Sequence, residues 1–136
     1  MDDVGLKASP RHFAQARGTI LLSQATCDLI RSSRIAKGSV LTVAQVAGIQ
    51  AAKRTSELIP LCHAMSLEHV DVTLELADAE VIATAGVSSM GRHGVEMEAL
   101  TAVTVALLTV YDMCKAVDKQ MEIGPIAIVE QEMSAR

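Results

Sequence analysis

The sequence predicts one domain of the α+β class, with helices packed on one face of a small antiparallel sheet. Apolar residues recur at helical spacing in two segments, 42–58 and 95–116. Between them, from residue 69 to residue 87, apolar and polar residues alternate as they do in strands. Because 136 residues suffice for one core, we expect these elements to share a single layered domain over residues 1–136.

The N-terminal part of the chain shows weaker patterns. Residues 1–17 are polar and end near two breaks, Pro10 and Gly18, so we expect a flexible arm there. A short strand is predicted over 19–22 and a helix over 24–33.

The segment 42–58 predicts an amphipathic helix that Thr42 caps and that ends before Pro60. Residues at helical spacing are expected to form its inner face: Val43, Val46, Ala47, Gln50 and Ala51.

The second half of the chain predicts a hairpin, a long helix and a last strand. Residues 69–76 and 81–87 alternate in polarity across a short connection, which is typical of an antiparallel hairpin. The helix is predicted to span 95–116. A strand is predicted over 123–130, and Pro125 favours a place for it at the edge of the sheet.

Composition excludes several classes of function. The net charge is −4 and aromatic residues make up 1%, which argues against nucleic-acid binding. The longest apolar run, 99–111, has 13 residues where a membrane span needs about 20, so no membrane helix is predicted. Three cysteines without paired spacing and an acidic start at Asp2 and Asp3 favour a reduced, cytoplasmic protein. A mean hydropathy of +0.32 suggests an oligomer.

The long helix carries charge at both ends, Glu96 and Glu98 at the front and Asp112 and Lys115 at the back. Glu98 and Asp112 share a face but stand roughly 21 Å apart along the axis. Either the ends serve different sites, or one site forms between the helices of two subunits.

Each charged group also has a structural interpretation. Asp112 and Lys115 form either a solvated helix ion pair or an acid–base pair. Glu96 and Glu98 suit the positive end of the helix dipole. Adjacent Cys62 and His63 lack the spacing of a closed metal site.

Five blocks stand out in order along the sequence: K-G at 37–38, A-G-I-Q-A-A-K-R-T at 47–55, L-I-P-L-C-H at 58–63, G-V-E-M-E-A-L-T-A-V at 94–103 and Y-D-M-C-K-A-V-D-K at 111–119. Together they resemble the MoaC family, which serves molybdenum cofactor biosynthesis. The resemblance implies a lyase that converts 3′,8-cyclo-7,8-dihydroguanosine 5′-triphosphate to cyclic pyranopterin monophosphate and releases pyrophosphate.

The resemblance also implies roles for individual residues. Asp112 matches a catalytic general acid or base, Lys115 a catalytic lysine, and Lys37 a lysine that contacts phosphate or the transition state. The remaining matched positions are expected to bind substrate: Leu61, Cys62, His63, Glu96, Met97 and Glu98.

The family further implies a ferredoxin-like fold and a homohexamer built from dimers, with the site at a dimer interface. No resident cofactor is expected, although Mg²⁺ could accompany the triphosphate. Two places depart from the family pattern. Arg11 is the candidate for an N-terminal arginine, and residues 129–133 replace a lysine followed by Gly-Gly-Lys. The alternatives are therefore a non-catalytic member that binds nucleotide or pterin, and a structural oligomer.

Overall fold

The computed structural model describes residues 10–134. Along the chain lie β1 (Arg11–Leu21), α1 (Gln24–Arg31), α2 (Val40–Lys53), α3 (Thr55–Leu58), β2 (Leu67–Ala77), β3 (Glu80–Met90), α4 (Glu96–Cys114) and β4 (Glu122–Ser134). The four strands form one sheet in the order β2-β3-β1-β4, and every neighbouring pair is antiparallel.

This topology confirms the predicted α+β fold. β1 and β2 run parallel on either side of β3, so the chain makes a split βαβ unit, which is the ferredoxin-like arrangement. Helices α2 and α4 pack against each other and against one face of the sheet. The core lies in that layer.

Small side chains let α4 lie close to the sheet. On β1 the inward positions include Ala14, Ala16 and Gly18, and a Cβ on Gly18 would come within 3.0 Å of Val103 and Leu107 on α4. Since bulky groups would push the helix away, this alternation of small residues sets the distance between the layers.

The predicted N-terminal arm is wrong for residues 11–17, which form the first part of a central strand. Its inward face is made of His12, Ala14 and Ala16, while Arg11 and Arg17 point to the other side. The sequence of this strand looks polar because Ala14 and Ala16, on the buried side, are small, while Arg11 and Arg17, on the other side, are charged. Residues 1–9, for which the same arm is predicted, lie outside the described residues.

The predicted helix 42–58 is displaced and divided. It begins after Ser39, not at Thr42, and it ends at Lys53, with α3 as a separate turn. Val43 and Val46 are largely exposed. Of the five residues predicted for the inner face, only Ala51 is buried. The other buried positions are mostly small, because α4 packs closely on them: Ala44, Gly48 and Ala52, with Val40 at the start.

The hairpin and the edge strand were predicted correctly. β2 and β3 pair across a turn at Asp78 and Ala79, and β4 lies at the edge of the sheet. The pairing of β1 with β4 shifts by one residue around Thr19, opposite Pro125. A bulge there accommodates a residue with no N–H to donate.

Helix α4 is the core helix of the domain. Among residues 10–134 it is the one helix with the length and hydropathy of a membrane span, and 56% of that window is buried inside the protein. Its apolar residues pack on the sheet and on α2, which accounts for its composition.

Candidate active site

Two clusters of predicted site residues lie at opposite ends of α4. At the C-terminal end, Asp112 lies between two lysines. Lys37 Nζ is 3.2 Å from Oδ2 of Asp112, and Lys115 Nζ is 3.0 Å from Oδ1. Lys37 comes from the loop between α1 and α2, so the fold brings the three predicted catalytic side chains into one contact group.

The two ammonium groups keep the Asp112 carboxylate ionised. Hydrogen bonds from Lys115 and Lys37, and the positive charge of both, hold the pKa of Asp112 below its usual value of 3.8. All three side chains are more than 40% exposed. The group is therefore a charged surface that is open to an anionic ligand.

A cavity of about 460 Å³ opens beside this group. Its lining includes Tyr111 and three lysines, Lys37, Lys115 and Lys119. Lys119 Nζ also donates to the backbone carbonyl of Lys115, at 2.8 Å. Three cations around one opening are suited to a phosphate chain.

Asp118, which the sequence did not single out, supports this end of the helix. It is 6% exposed, and its carboxylate accepts hydrogen bonds from the Ser23 backbone N–H, the Thr26 hydroxyl and the Gln120 N–H. Burial alone would raise the pKa of Asp118, but these hydrogen bonds outweigh it and keep the pKa low. In the sequence it lies among charges typical of a solvated segment, so no signal marked it.

At the N-terminal end of α4 a second cavity, of about 330 Å³, collects the predicted substrate-binding residues. They come from the loop after α3 and from the first turn of α4. Leu61 stands fully exposed at its rim with a φ of 68°. The other predicted members line the cavity: Cys62, His63, Glu96, Met97 and Glu98.

Glu98 is the buried acid of this cavity. Glu98 is 3% exposed, and burial raises the pKa of its carboxyl above the usual 4.5. The Cys62 thiol lies 3.9 Å from Oε2 of Glu98. Burial and the neighbouring charge of Glu98 raise the pKa of Cys62 as well, so the thiol stays protonated and is a poor nucleophile.

Two further residues, His93 and Gln131, contact side chains of this cavity and were not predicted as site residues. The rings of His63 and His93 stack with centroids 4.3 Å apart. The Gln131 amide on β4 donates to Oε2 of Glu96 at 3.2 Å. His93 lies just before the block at 94–103 and so outside the matched residues, and Gln131 belongs to the altered segment 129–133. Pairing across the sheet determines both contacts.

Arg11 lies away from the Asp112 group. Its guanidinium makes an exposed ion pair with Glu68, at 3.4 Å. His12, the next residue, points inward and its ring contacts the Gly91 carbonyl.

The two clusters do not meet within one chain. Fourteen residues of α4 separate Glu98 from Asp112, which corresponds to about 21 Å along the axis. A third cavity, of about 470 Å³ between α1, the start of α2 and Leu76, contains none of the predicted side chains. One chain therefore presents two separate clusters, one cationic and one acidic with a sheltered pocket.

The chain is a ferredoxin-like domain with an exposed Asp–Lys group at one end of α4 and a buried carboxylic acid at the other, which are groups that acid–base enzymes use. The chain belongs to the MoaC family, whose sequence model matches residues 1–133. It is 53% identical over 133 residues to the cyclic pyranopterin monophosphate synthase of Heliobacterium modesticaldum, with 96% of this chain and 84% of the relative covered. The synthase of the same name from Novosphingobium aromaticivorans is 53% identical over 131 residues, covering 96% and 83%.

Proposed function

We propose that this chain is a lyase of molybdenum cofactor biosynthesis. It converts 3′,8-cyclo-7,8-dihydroguanosine 5′-triphosphate to cyclic pyranopterin monophosphate and releases pyrophosphate. Two relatives that carry the name of this synthase share 53% of their aligned residues with it. The observation that carries the proposal is the Asp112 carboxylate held between the ammonium groups of Lys37 and Lys115.

The lysine end of α4 is suited to the phosphates. Lys37 and Lys115 offset the charge of the triphosphate and the charge that develops on the leaving pyrophosphate. Asp112 remains ionised beside them and accepts a proton, while the Lys115 ammonium, 3.0 Å away, donates one of its own. Transfer of the accepted proton from Asp112 to the neutral Lys115 amine then restores both groups. In this role the low pKa of Asp112 keeps the base available across the physiological range.

The Glu98 end is suited to the ring system. The cavity joins apolar walls, from Met65 and Met97, to a few polar groups, as sites for flat heterocycles commonly do. Burial raises the pKa of Glu98 above the usual 4.5, and in this role its carboxyl gives and takes a proton during ring opening and closure. Protonated Cys62 then serves as a contact and not as the attacking group.

The complete site forms where the Glu98 end of one subunit meets the Asp112 end of another. The separation of about 21 Å along α4 supports this arrangement. Exposed apolar side chains on the helix layer also support a subunit contact: Val43, Val46, Leu58, Leu108 and Tyr111.

The resemblance extends the proposal to a homohexamer of such dimers, working in the cytoplasm, where three free cysteines stay reduced. Mg²⁺ would arrive with the triphosphate. Within residues 10–134, no group of three or more His, Cys, Asp or Glu side chains is placed to hold a metal of its own.

Subunit mixing tests the shared site. Glu98→Gln and Asp112→Asn are purified separately, each inactive in pyrophosphate release, and are then dissociated and reassembled together. In a mixed dimer one site carries both substitutions and the other carries neither. Random pairing should therefore recover about a quarter of the wild-type rate. No recovery from reassembled mixed dimers would place both residues of a site in one chain.

The alternative is a member that binds nucleotide or pterin without turnover. The end of β4 favours this alternative. The resemblance implies a lysine there, and this chain has Glu130, Gln131 and Glu132 instead. Gln131 also contacts Glu96. Calorimetry combined with pyrophosphate release separates the two. Binding of the cyclised triphosphate without any release would support the alternative, and release at ordinary rates would exclude it.

A further inference from the structure

We propose that His12 and His93 are positioning residues of the proposed synthase. With Gly91 they form a chain of contacts, here called the histidine chain, that runs from the sheet to His63 at the wall of the Glu98 cavity. The kinetic part of this inference rests on the proposed function, and the spectroscopic part stands without it.

The first contact lies between β1 and the end of β3. His12 is only 8% exposed, and its Nε2 is 3.0 Å from the carbonyl oxygen of Gly91. Because a carbonyl can only accept, Nε2 carries the hydrogen. The Gly91 N–H in turn donates to the Pro10 carbonyl at 3.0 Å. Both backbone groups of Gly91 are thus fixed by the start of β1.

The second link is the turn that leads into α4. Gly91 has a φ of 144°, a backbone conformation that residues with a side chain rarely adopt. From there the chain reaches the first residue of α4, Glu96, in five steps. Fixing Gly91 therefore restricts where His93, two residues later, can lie.

The third contact joins two loops. His93 belongs to the turn before α4, and His63 belongs to the loop before β2. Their rings stack 4.3 Å apart with an interplanar angle of 12°. Both residues are exposed and both line the cavity of about 330 Å³. Since exposed imidazoles otherwise rotate freely, the stack orders one wall of the cavity against the other.

A buried histidine could instead serve stability alone. The two roles differ in their kinetics. The histidine chain borders the Glu98 cavity and lies at the opposite end of α4 from Asp112. Loss of its contacts therefore weakens substrate binding and leaves the contacts of Asp112 with Lys37 and Lys115 intact. We expect KM to rise while kcat stays nearly constant.

The test compares His12→Leu, His12→Gln and His93→Leu with wild type, and His69→Leu serves as the control because His69 is exposed on β2. His12→Leu and His93→Leu should each raise KM about three- to tenfold. His12→Gln keeps a donor near the position of Nε2 and should stay within about twofold of wild type. The double variant His12→Leu/His93→Leu should raise KM no further than His93→Leu alone, since both act through one stack.

Imidazole NMR signals give a readout that does not depend on turnover. The His63 ring signals should move in His12→Leu and stay in place in His12→Gln and His69→Leu. If the wild-type protein does not release pyrophosphate, the proposed function is wrong. The His63 signals still test whether the histidine chain positions His63. Unmoved His63 signals, or KM increases that multiply in the double variant, would overturn it. Should His12→Leu not fold, His93→Leu and His12→Gln carry the comparison.

Discussion

Lys37 and Asp112 are 75 residues apart in sequence, yet the Lys37 ammonium lies 3.2 Å from Oδ2 and 3.1 Å from the backbone carbonyl of Asp112. Lys37 therefore neutralises a carboxylate and also donates a hydrogen bond to one of the backbone carbonyls that have no partner within the last turn of α4. The loop between α1 and α2 is tied to the helix end at the point where Lys115 joins the group.

Replacement of Asp112 by Asn should remove activity without removing the fold. The amide keeps the shape of the side chain but can no longer accept a proton, so we expect kcat to fall by at least about a hundredfold. Pyrophosphate release measures the loss. Asp71→Asn, at an exposed position of β2, is the matched control. A rate above a tenth of wild type would remove Asp112 from the role of base.

Replacement of Lys115 by Met should raise the pKa of Asp112 towards its usual 3.8, because Lys115 supplies the largest of the causes that lower it. Since the folded-state pKa is depressed, the stabilisation by these contacts is present above about pH 3.8 and is lost as the pH falls through the folded value. NMR titration of the side-chain carboxyl carbon measures the shift. An unchanged pKa in Lys115→Met would contradict the contact.

Glu98→Gln should lose activity and gain stability at neutral pH. Burial raises the folded-state pKa of Glu98 above 4.5, so its contribution to stability is greatest below pH 4.5 and is lost as the pH rises through the folded value. The neutral amide avoids the cost of burying a charge. The stability advantage of the variant, from urea unfolding, should therefore increase as the pH rises from about 4.5 through the folded-state pKa, and then level off.

Glu57→Gln is the control for this comparison, since Glu57 is exposed in α3. Its stability difference from wild type should not follow the same pH dependence. A Glu98→Gln variant whose advantage is constant with pH would mean that Glu98 titrates normally.

Cys62 should react slowly with iodoacetamide at neutral pH. Burial and the charge of Glu98 raise the pKa of its thiol, and the thiolate is the reactive form. Glu98→Gln removes that charge and should speed alkylation by a fewfold. Cys27 and Cys114 are buried, and burial raises the pKa of Cys114 to about 11, so they should react only after unfolding. Mass spectrometry of the alkylated peptides distinguishes the three sites, and equal rates in both proteins would argue against the Cys62–Glu98 contact.

Gly48→Ala should destabilise the domain although alanine favours helices. A Cβ at this position would lie 3.0 Å from the backbone carbonyl oxygen of Ala102 and 3.1 Å from Val72. The two helices would have to separate, and we expect a net loss of about 1–2 kcal/mol in the free energy of unfolding. Gly86→Ala is the control, because its Cβ meets only the Phe13 ring, at 3.3 Å, which can shift. Equal unfolding midpoints for both variants would contradict the close packing of α2 on α4.

Local patterns predicted the parts of the fold where one period dominates. The hairpin alternates over many residues and the long helix carries an unbroken apolar run, so both were located to within a few residues. Only the end of β1 was predicted, as a short strand over 19–22, because the buried positions before it include alanine and glycine, which do not form an apolar stripe. The buried face of α2 was misjudged for a related reason, as close packing selects Ala44 and Gly48 over larger Val43 and Val46.

The sequence by itself determined the α+β class, the family and the residue types of the candidate site, because these depend on periodicity and on blocks that are contiguous in the chain. Only the tertiary structure decided which groups meet. It placed Lys37 against Asp112, buried Glu98 beside Cys62 and stacked His63 on His93. These contacts depend on strand order and on the distance between packed layers. They also set the pKa directions of Asp112, Glu98 and Cys62, since burial and neighbouring charge exist only after the chain has folded.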